Sequence, residues 1–77
     1  MNPLQQAILR TYKKLDYPFN PISLRDTLDI KPSILRRNAG YLAQKGFLKQ
    51  EGFRTQVNGL VPLYRITERG RKALDHP

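Results

Sequence analysis

The chain of 77 residues contains no cysteine, and its one histidine, His76, is the penultimate residue. Without cysteine there are no disulfides and no thiolate ligands for a metal ion. Because chain ends commonly fray, a lone histidine at this position is a poor metal ligand or general base. We therefore expect no metal site and no cofactor.

Sequence motifs typical of enzyme active sites are missing as well. The sequence has no glycine-rich phosphate-binding motif, and its six acidic residues are scattered along the chain. Asp16, Asp26 and Asp29 suit helix ends and turns better than they suit general acid or base catalysis. The sequence therefore argues against an enzyme.

Long apolar runs are absent too. No stretch approaches the roughly 20 apolar residues of a membrane-spanning helix, and the N-terminal segment lacks the basic and apolar regions of a signal peptide. We expect a cytoplasmic protein without a membrane span. At this length a chain has room for one domain, so we predict a single domain over residues 1–77.

The sequence is rich in positive charge. The net charge is +8, from 14 lysines and arginines against six acids. Counted by segment, residues 1–30 contribute four minus three, residues 31–54 six minus one, and residues 55–77 four minus two. Positive charge that served only to keep the protein soluble could be spread evenly along the chain. Its concentration in residues 31–54 therefore favours a polyanionic partner. Nucleic acid is the leading candidate, and an anionic membrane surface is a weaker one.

Residues 31–48 predict a basic amphipathic helix followed by a strand. The apolar residues at helical spacing, which predict a buried stripe, are Leu35, Ala39 and Leu42. Arg36 and Arg37 fall on other faces and therefore project away from the core. Pro32 suits the first helical position, and Gly46 suits the left-handed residue that ends a helix.

Similar patterns place the other elements of the chain. The predicted elements are a first helix at about 3–16, a second at about 23–28, the basic helix at about 32–45, a hairpin at about 47–66 and a last helix at about 67–75. The predicted apolar stripe of the first helix consists of Leu4, Ile8, Tyr12 and Leu15. Asn2 with Gln5 has capping-box spacing, and Ser23 should cap the second helix. Residues 21–23 could add a short edge strand, and Pro62 should limit pairing in the hairpin.

Two stretches together resemble the winged helix-turn-helix family, particularly its MarR and PadR branches. They are Ile34-Leu35-Arg36-Arg37-Asn38-Ala39-Gly40-Tyr41-Leu42 with Gly46-Phe47-Leu48, and the later set Tyr64, Ile66, Thr67, Gly70, Arg71 and Leu74. The resemblance implies a small α+β fold with a three-helix core, a β-hairpin wing and a short C-terminal helix. Two positions depart from the family pattern, since Asp29 replaces a turn glycine and Lys31 replaces a serine or threonine cap.

The resemblance also implies which residues would contact DNA. Residues near the start of the recognition helix reach base edges in this family, which selects Ser33, Arg36 and Arg37. For each arginine, phosphate binding is an equal alternative. The residues suited to backbone or wing contacts are Lys31, Tyr41, Lys45, Lys49, Arg54, Thr55, Gln56 and Asn58. The spacing of Asn38 favours a solvated role over the reading of adenine.

We also have structural expectations for four further positions. Gly40 and Gly70 lie inside predicted helices, where glycine costs about 1 kcal/mol relative to alanine. A close packing contact would explain Gly70, and a close approach to DNA or to a neighbouring helix would explain Gly40. Phe53 and Val57, in the predicted wing, should either fold back on the core or mark a contact with another protein.

The function that the resemblance implies is a sequence-specific regulator of transcription that binds double-stranded DNA. We expect a repressor that acts as a homodimer, with no small-molecule effector. The alternative is a winged-helix module that binds another protein in a replication, transcription or secretion assembly. Binding to structured RNA is a third hypothesis, which the charge permits although no aromatic RNA-binding motif is visible.

Overall fold

The computed structural model describes residues 1–57 and 59–75 of the chain. The elements in chain order are α1 (Pro3–Leu15), a 3-10 turn (Pro21–Leu24), α2 (Arg25–Leu28), α3 (Pro32–Gln44), β1 (Leu48–Gln56), β2 (Gly59–Ile66) and α4 (Glu68–Asp75). The predicted α+β fold is confirmed, because helices form the core and one antiparallel hairpin extends from it. In the part of the chain described, no helix is long and apolar enough to cross a membrane.

The core lies between α1, α3 and the base of the hairpin. Its buried apolar side chains are Ile8, Leu9, Tyr12, Phe19, Leu24, Leu35, Ala39, Leu42, Leu48 and Ile66. The stripe predicted for α3 is therefore buried as expected. In α1, however, Leu15 is 40% exposed while Leu9, which was not predicted, is fully buried. Because Leu9 is buried, the buried face of α1 is rotated by part of a turn from the predicted stripe. Leu15 therefore lies at the edge of this face.

Local capping interactions fix where the helices begin and end. The Oδ1 of Asn2 accepts the Gln5 N–H at 2.8 Å, and the Gln5 side chain accepts the Asn2 N–H in return, so the predicted capping box is present. Asp29 and Gly46 end α2 and α3 in the left-handed conformation, with φ of 53° and 81°. Thr67 Oγ1 accepts the N–H of Gly70 at 3.0 Å and so caps α4.

The segment between α1 and α2 differs from its prediction. Residues 21–23 form part of a 3-10 turn and not an edge strand, because Asn20 Oδ1 accepts the Ile22 N–H at 3.0 Å and bends the chain. Strand pairing occurs instead at Phe19, which exchanges two 3.0 Å backbone hydrogen bonds with Tyr64. Ser23 does not cap α2, since its hydroxyl donates to the Asn20 carbonyl at 2.6 Å.

The hairpin is paired along nearly its whole length. Its register runs from Leu48 opposite Ile66 to Gln56 opposite Gly59. The expected limit at Pro62 is therefore wrong, because the register shifts between Gln50 and Phe53, and Phe53 pairs with Pro62 directly after this bulge. A bulge is one of the few places where a sheet accommodates a residue without an N–H.

Candidate nucleic-acid interface

The solvent-facing side of α3 presents polar side chains opposite the buried stripe. Ser33, Arg37, Gly40 and Gln44 follow i, i+4, i+7 and i+11 spacing, and all four are exposed. Arg37 lies near the middle of this row, which we call the α3 face. Gln44 was not among the predicted site residues, whereas Gly40 was expected only to approach DNA or a neighbouring helix closely. Their helical spacing from Ser33 was nevertheless visible in the sequence.

Arg36 lies to one side of the α3 face, toward the hairpin. It lines an open hollow of about 410 Å³ together with Ile22, Gln56, Leu60, Val61 and Pro62. The hollow joins the first turns of α3 to the outer part of the hairpin. Arg36 can therefore reach a ligand that contacts the helix and the hairpin at the same time, while Arg37 projects from the helix alone.

Tyr41 and Lys45 lie on the opposite side of the α3 face, one turn apart. The Lys45 Nζ is 5.6 Å from the centroid of the Tyr41 ring, which is a cation–π distance. Tyr41 remains 39% exposed. Lys31 precedes the helix as its N-cap residue and makes no capping hydrogen bond through its side chain. Its ammonium group is thus not engaged in holding the helix start.

The outer part of the hairpin is the predicted wing. Arg54, Thr55 and Gln56 are all exposed at the end of β1, and Lys49 is exposed near its start. Asn58, which was also predicted to contact DNA, lies outside the described residues. Phe53 does not fold back on the core, because it is 59% exposed.

Four acidic side chains of the described chain form ion pairs, and none of these pairs includes a cation of α3 or of the outer hairpin. The ion pairs join Asp16 to Arg65 and Arg71, Glu51 to Arg65, Asp75 to Lys13 and Asp26 to Arg25. The cations that make no ion pair with any described residue include Lys31, Arg36, Arg37, Lys45, Lys49 and Arg54. The helix α3 itself contains no acidic residue. α3 and the hairpin consequently present several cations that form no ion pair within the described chain.

A hydrogen-bonded amide pair holds α3 against α1. Gln5 Nε2 donates to Asn38 Oδ1 at 3.2 Å, and Asn38 Nδ2 donates to the Ile34 carbonyl at 2.8 Å. Asn38 is half-buried, so the expected solvated role is wrong. No local pattern indicates this contact, because the two amides are 33 residues apart in the chain and meet only when the helices pack. Asn38 therefore joins α3 to α1.

The helices α2 and α3 with the hairpin beside them define a winged helix-turn-helix fold, in which α3 occupies the recognition-helix position. No protein-family model matches the chain. No curated protein matches it.

Solved structures with the same fold include MarR and PadR regulators. A cysteine-to-serine mutant of E. coli MarR in complex with operator DNA superposes with a TM-score of 0.77 at 19% identity, covering 97% of this chain and 51% of MarR. Apo wild-type E. coli MarR gives 0.78 at 19% identity, covering 97% and 53%. A PadR family transcriptional regulator from Eggerthella lenta DSM 2243 gives 0.69 at 20% identity, covering 94% and 70%.

These comparisons establish the fold of the chain. The resemblance to the MarR and PadR branches that the sequence motifs indicated is confirmed at this level. The chain spans about half the length of the MarR chains that it matches.

Proposed function

We propose that this protein is a sequence-specific regulator of transcription that binds double-stranded DNA and represses by occupying an operator in the cytoplasm. The observation that carries the proposal is the row of unpaired cations and polar side chains along α3 and the wing. Its support from the comparisons is that one MarR structure of the same fold is bound to operator DNA. The chemistry of each part of the surface then suggests a separate role.

The α3 face would read base edges in the major groove. Arg37 is central in this face and exposed, and arginine donates two hydrogen bonds to the O6 and N7 of guanine. Such a pair contributes about 1–3 kcal/mol of discrimination between bases. Ser33 would add a hydrogen bond near the start of the helix. Arg36, which lines the hollow beside the hairpin, would contact either a base or the phosphate between helix and wing.

The wing and the remaining cations would bind the DNA backbone. Lys31, Lys45 and Lys49 supply charge without strict geometry, which is what phosphate binding requires. Tyr41 adds a hydroxyl donor beside Lys45. At the wing, Arg54 with Thr55, Gln56 and Asn58 would reach a minor groove, where negative potential attracts arginine. These contacts would set the register of the protein on the duplex.

A homodimer on a palindromic site would raise both affinity and specificity. A single module of this size buries only about 600–1,000 Å² on DNA, which limits its affinity. Two copies related by a two-fold axis would contact two half-sites about one helical turn apart. Sedimentation of the free protein and of its DNA complex would test this part of the proposal separately.

The decisive experiment is selection of duplexes from a randomised pool, followed by fluorescence anisotropy over a salt series. We expect a motif bound at least about 10³-fold more tightly than random duplex. With phosphate contacts by Lys31, Lys45 and Lys49 in each protomer, the logarithmic salt slope would be about −2.7 per protomer. Weak binding without enrichment of any sequence would refute the proposal. If structured RNA competed more strongly than duplex DNA, the proposal would also be refuted, and RNA would be the ligand.

A second candidate function is the binding of another protein through the wing. The observation that favours it is a group of exposed apolar side chains, with Phe53 59%, Leu60 66% and Val57 fully exposed. DNA requires no such group, whereas protein interfaces commonly have apolar anchors at their centre. The double variant Phe53→Ser with Leu60→Ser tests it. Loss of a co-purifying partner with unchanged DNA affinity would support the second function.

A further inference from the structure

The structure requires glycine at some of the five glycine positions of the chain, but not at all of them. Gly46, Gly52 and Gly59 have φ of 81°, 92° and 116°, in the left-handed region that side chains disfavour. Gly70 is needed for packing, since a Cβ there would overlap the Phe47 carbonyl oxygen. Gly40 lies in regular helix, and a Cβ built on it meets nothing within 4 Å in the described chain. The fold therefore gives no reason for a glycine at position 40.

This glycine is also unfavourable for the helix that contains it. Gly40 is an interior residue of α3, which runs from Pro32 to Gln44. Glycine at an interior position lowers the helix equilibrium constant about four- to fivefold relative to alanine. Alanine would fit without any rearrangement, because the space around the position is open. A reason for the glycine must then come from outside the isolated chain.

The location of Gly40 indicates where that reason lies. It is part of the exposed α3 face, between Arg37 and Gln44, and it is directed away from the buried stripe. Arg37 and Gln44 carry long polar side chains, whereas Gly40 exposes bare backbone between them. Without a Cβ, a neighbouring surface approaches the helix backbone more closely by about 1.5 Å, the length of one carbon–carbon bond.

We propose that the backbone of α3 at Gly40 makes van der Waals contact with the DNA, so that Gly40 sets how deeply the recognition helix enters the major groove. The inference rests on the proposed function and adds to it a residue that determines specificity by lacking a side chain. Close approach at Gly40 brings Arg37 and Gln44 within reach of base edges, where hydrogen bonds require short and well-aligned contacts. A methyl group at position 40 would hold the whole face back from the groove.

The test substitutes Gly40→Ala and Gly40→Leu and measures folding and DNA binding separately. We expect both variants to melt at or above the wild-type temperature, because alanine and leucine favour helix. We expect Gly40→Ala to bind the selected duplex at least tenfold more weakly, and Gly40→Leu more weakly still. Affinity for random duplex should change less, since non-specific binding depends on charge at a distance.

Gly70→Ala is the matched control, since the same methyl group is added inside a helix. It should lower the melting temperature, because its Cβ would lie 2.9 Å from the Ile66 Cγ1 and would overlap the Phe47 carbonyl oxygen. Sedimentation of the Gly40 variants without DNA completes the design. It shows whether position 40 acts on DNA contact or on self-association.

Each outcome decides between contact and no contact at Gly40. Equal affinity of wild type, Gly40→Ala and Gly40→Leu for the selected duplex would overturn the inference while leaving the proposed function intact. A loss of affinity that follows a loss of self-association would also overturn it, because position 40 would then contact a second copy. A wild-type protein that binds no duplex at all would refute the proposed function itself and the inference with it.

Discussion

Removal of the Asn38 side chain should destabilise the fold and weaken DNA binding only through that destabilisation. Asn38→Ala loses the hydrogen bond to the Ile34 carbonyl at 2.8 Å and the bond from Gln5 Nε2 at 3.2 Å. Two such bonds contribute about 1–3 kcal/mol together. Alanine returns up to about 0.7 kcal/mol in helix propensity. The expected net loss in the free energy of unfolding is therefore about 1 kcal/mol.

Circular dichroism during thermal and urea unfolding measures this loss. For a domain of this size, 1 kcal/mol corresponds to a decrease in melting temperature of about 4–8 °C. A double-mutant cycle with Gln5→Ala isolates the contact between the two helices. Because Gln5 also belongs to the capping box, its single variant should cost more than the contact alone.

The expected coupling energy between Gln5 and Asn38 is about 0.5–1.5 kcal/mol. Additive losses in the double variant would refute the argument that this amide pair holds α3 against α1. Loss of specific DNA affinity by Asn38→Ala at a temperature where the variant is fully folded would also refute it. In that case Asn38 would contact DNA directly.

Three further predictions concern the α3 face, the surface ion pairs and the buried tyrosine. In anisotropy titrations, Arg37→Ala should lower affinity for the selected duplex more than for random duplex, whereas Lys49→Ala should weaken both equally. If Arg37→Ala also weakened binding to both duplexes equally, base reading by Arg37 would be excluded. Asp16→Asn should cost less than about 1 kcal/mol in low salt and nothing measurable at 1 M salt, because Asp16 is half-exposed; a loss independent of salt would contradict this. Burial, together with the nearby Tyr64, raises the pKa of Tyr12, whose hydroxyl donates to the Phe19 carbonyl at 2.8 Å. The neutral phenol contributes fully to the free energy of unfolding below the pKa of tyrosine in the unfolded chain, and this contribution should decrease above about pH 10. The free energy of unfolding of Tyr12→Phe should therefore fall less steeply with rising pH than that of wild type.

Local signals in the sequence were sufficient for the helices and for much of the proposed interface. The stripe of Leu35, Ala39 and Leu42 follows from helical spacing alone, which also places Arg36 and Arg37 outside the core. Capping by Asn2 involves residues three positions apart, so that interaction is readable without any tertiary information. Net charge by segment likewise depends only on the order of residues.

Interactions between distant residues were decided by tertiary packing. The pairing of Phe19 with Tyr64 required the hairpin to lie beside the N-terminal helices, and the 3-10 turn at residues 21–24 replaced the predicted strand once Asn20 bonded to Ile22. The bulge before Phe53 depends on how two strands share hydrogen bonds, which periodicity does not specify.

Motifs in the sequence indicated the fold class through their resemblance to winged helix-turn-helix proteins, whereas spacing and composition indicated the charged side of α3 and the glycine at position 40. The folded structure showed that Asn38 joins two helices and that a neighbouring backbone carbonyl leaves room only for glycine at position 70. It also showed that no neighbour in the described chain requires Gly40. A glycine inside a helix lowers the stability of that helix by a similar amount at each interior position. Only the atoms packed around the glycine show whether a side chain would fit there.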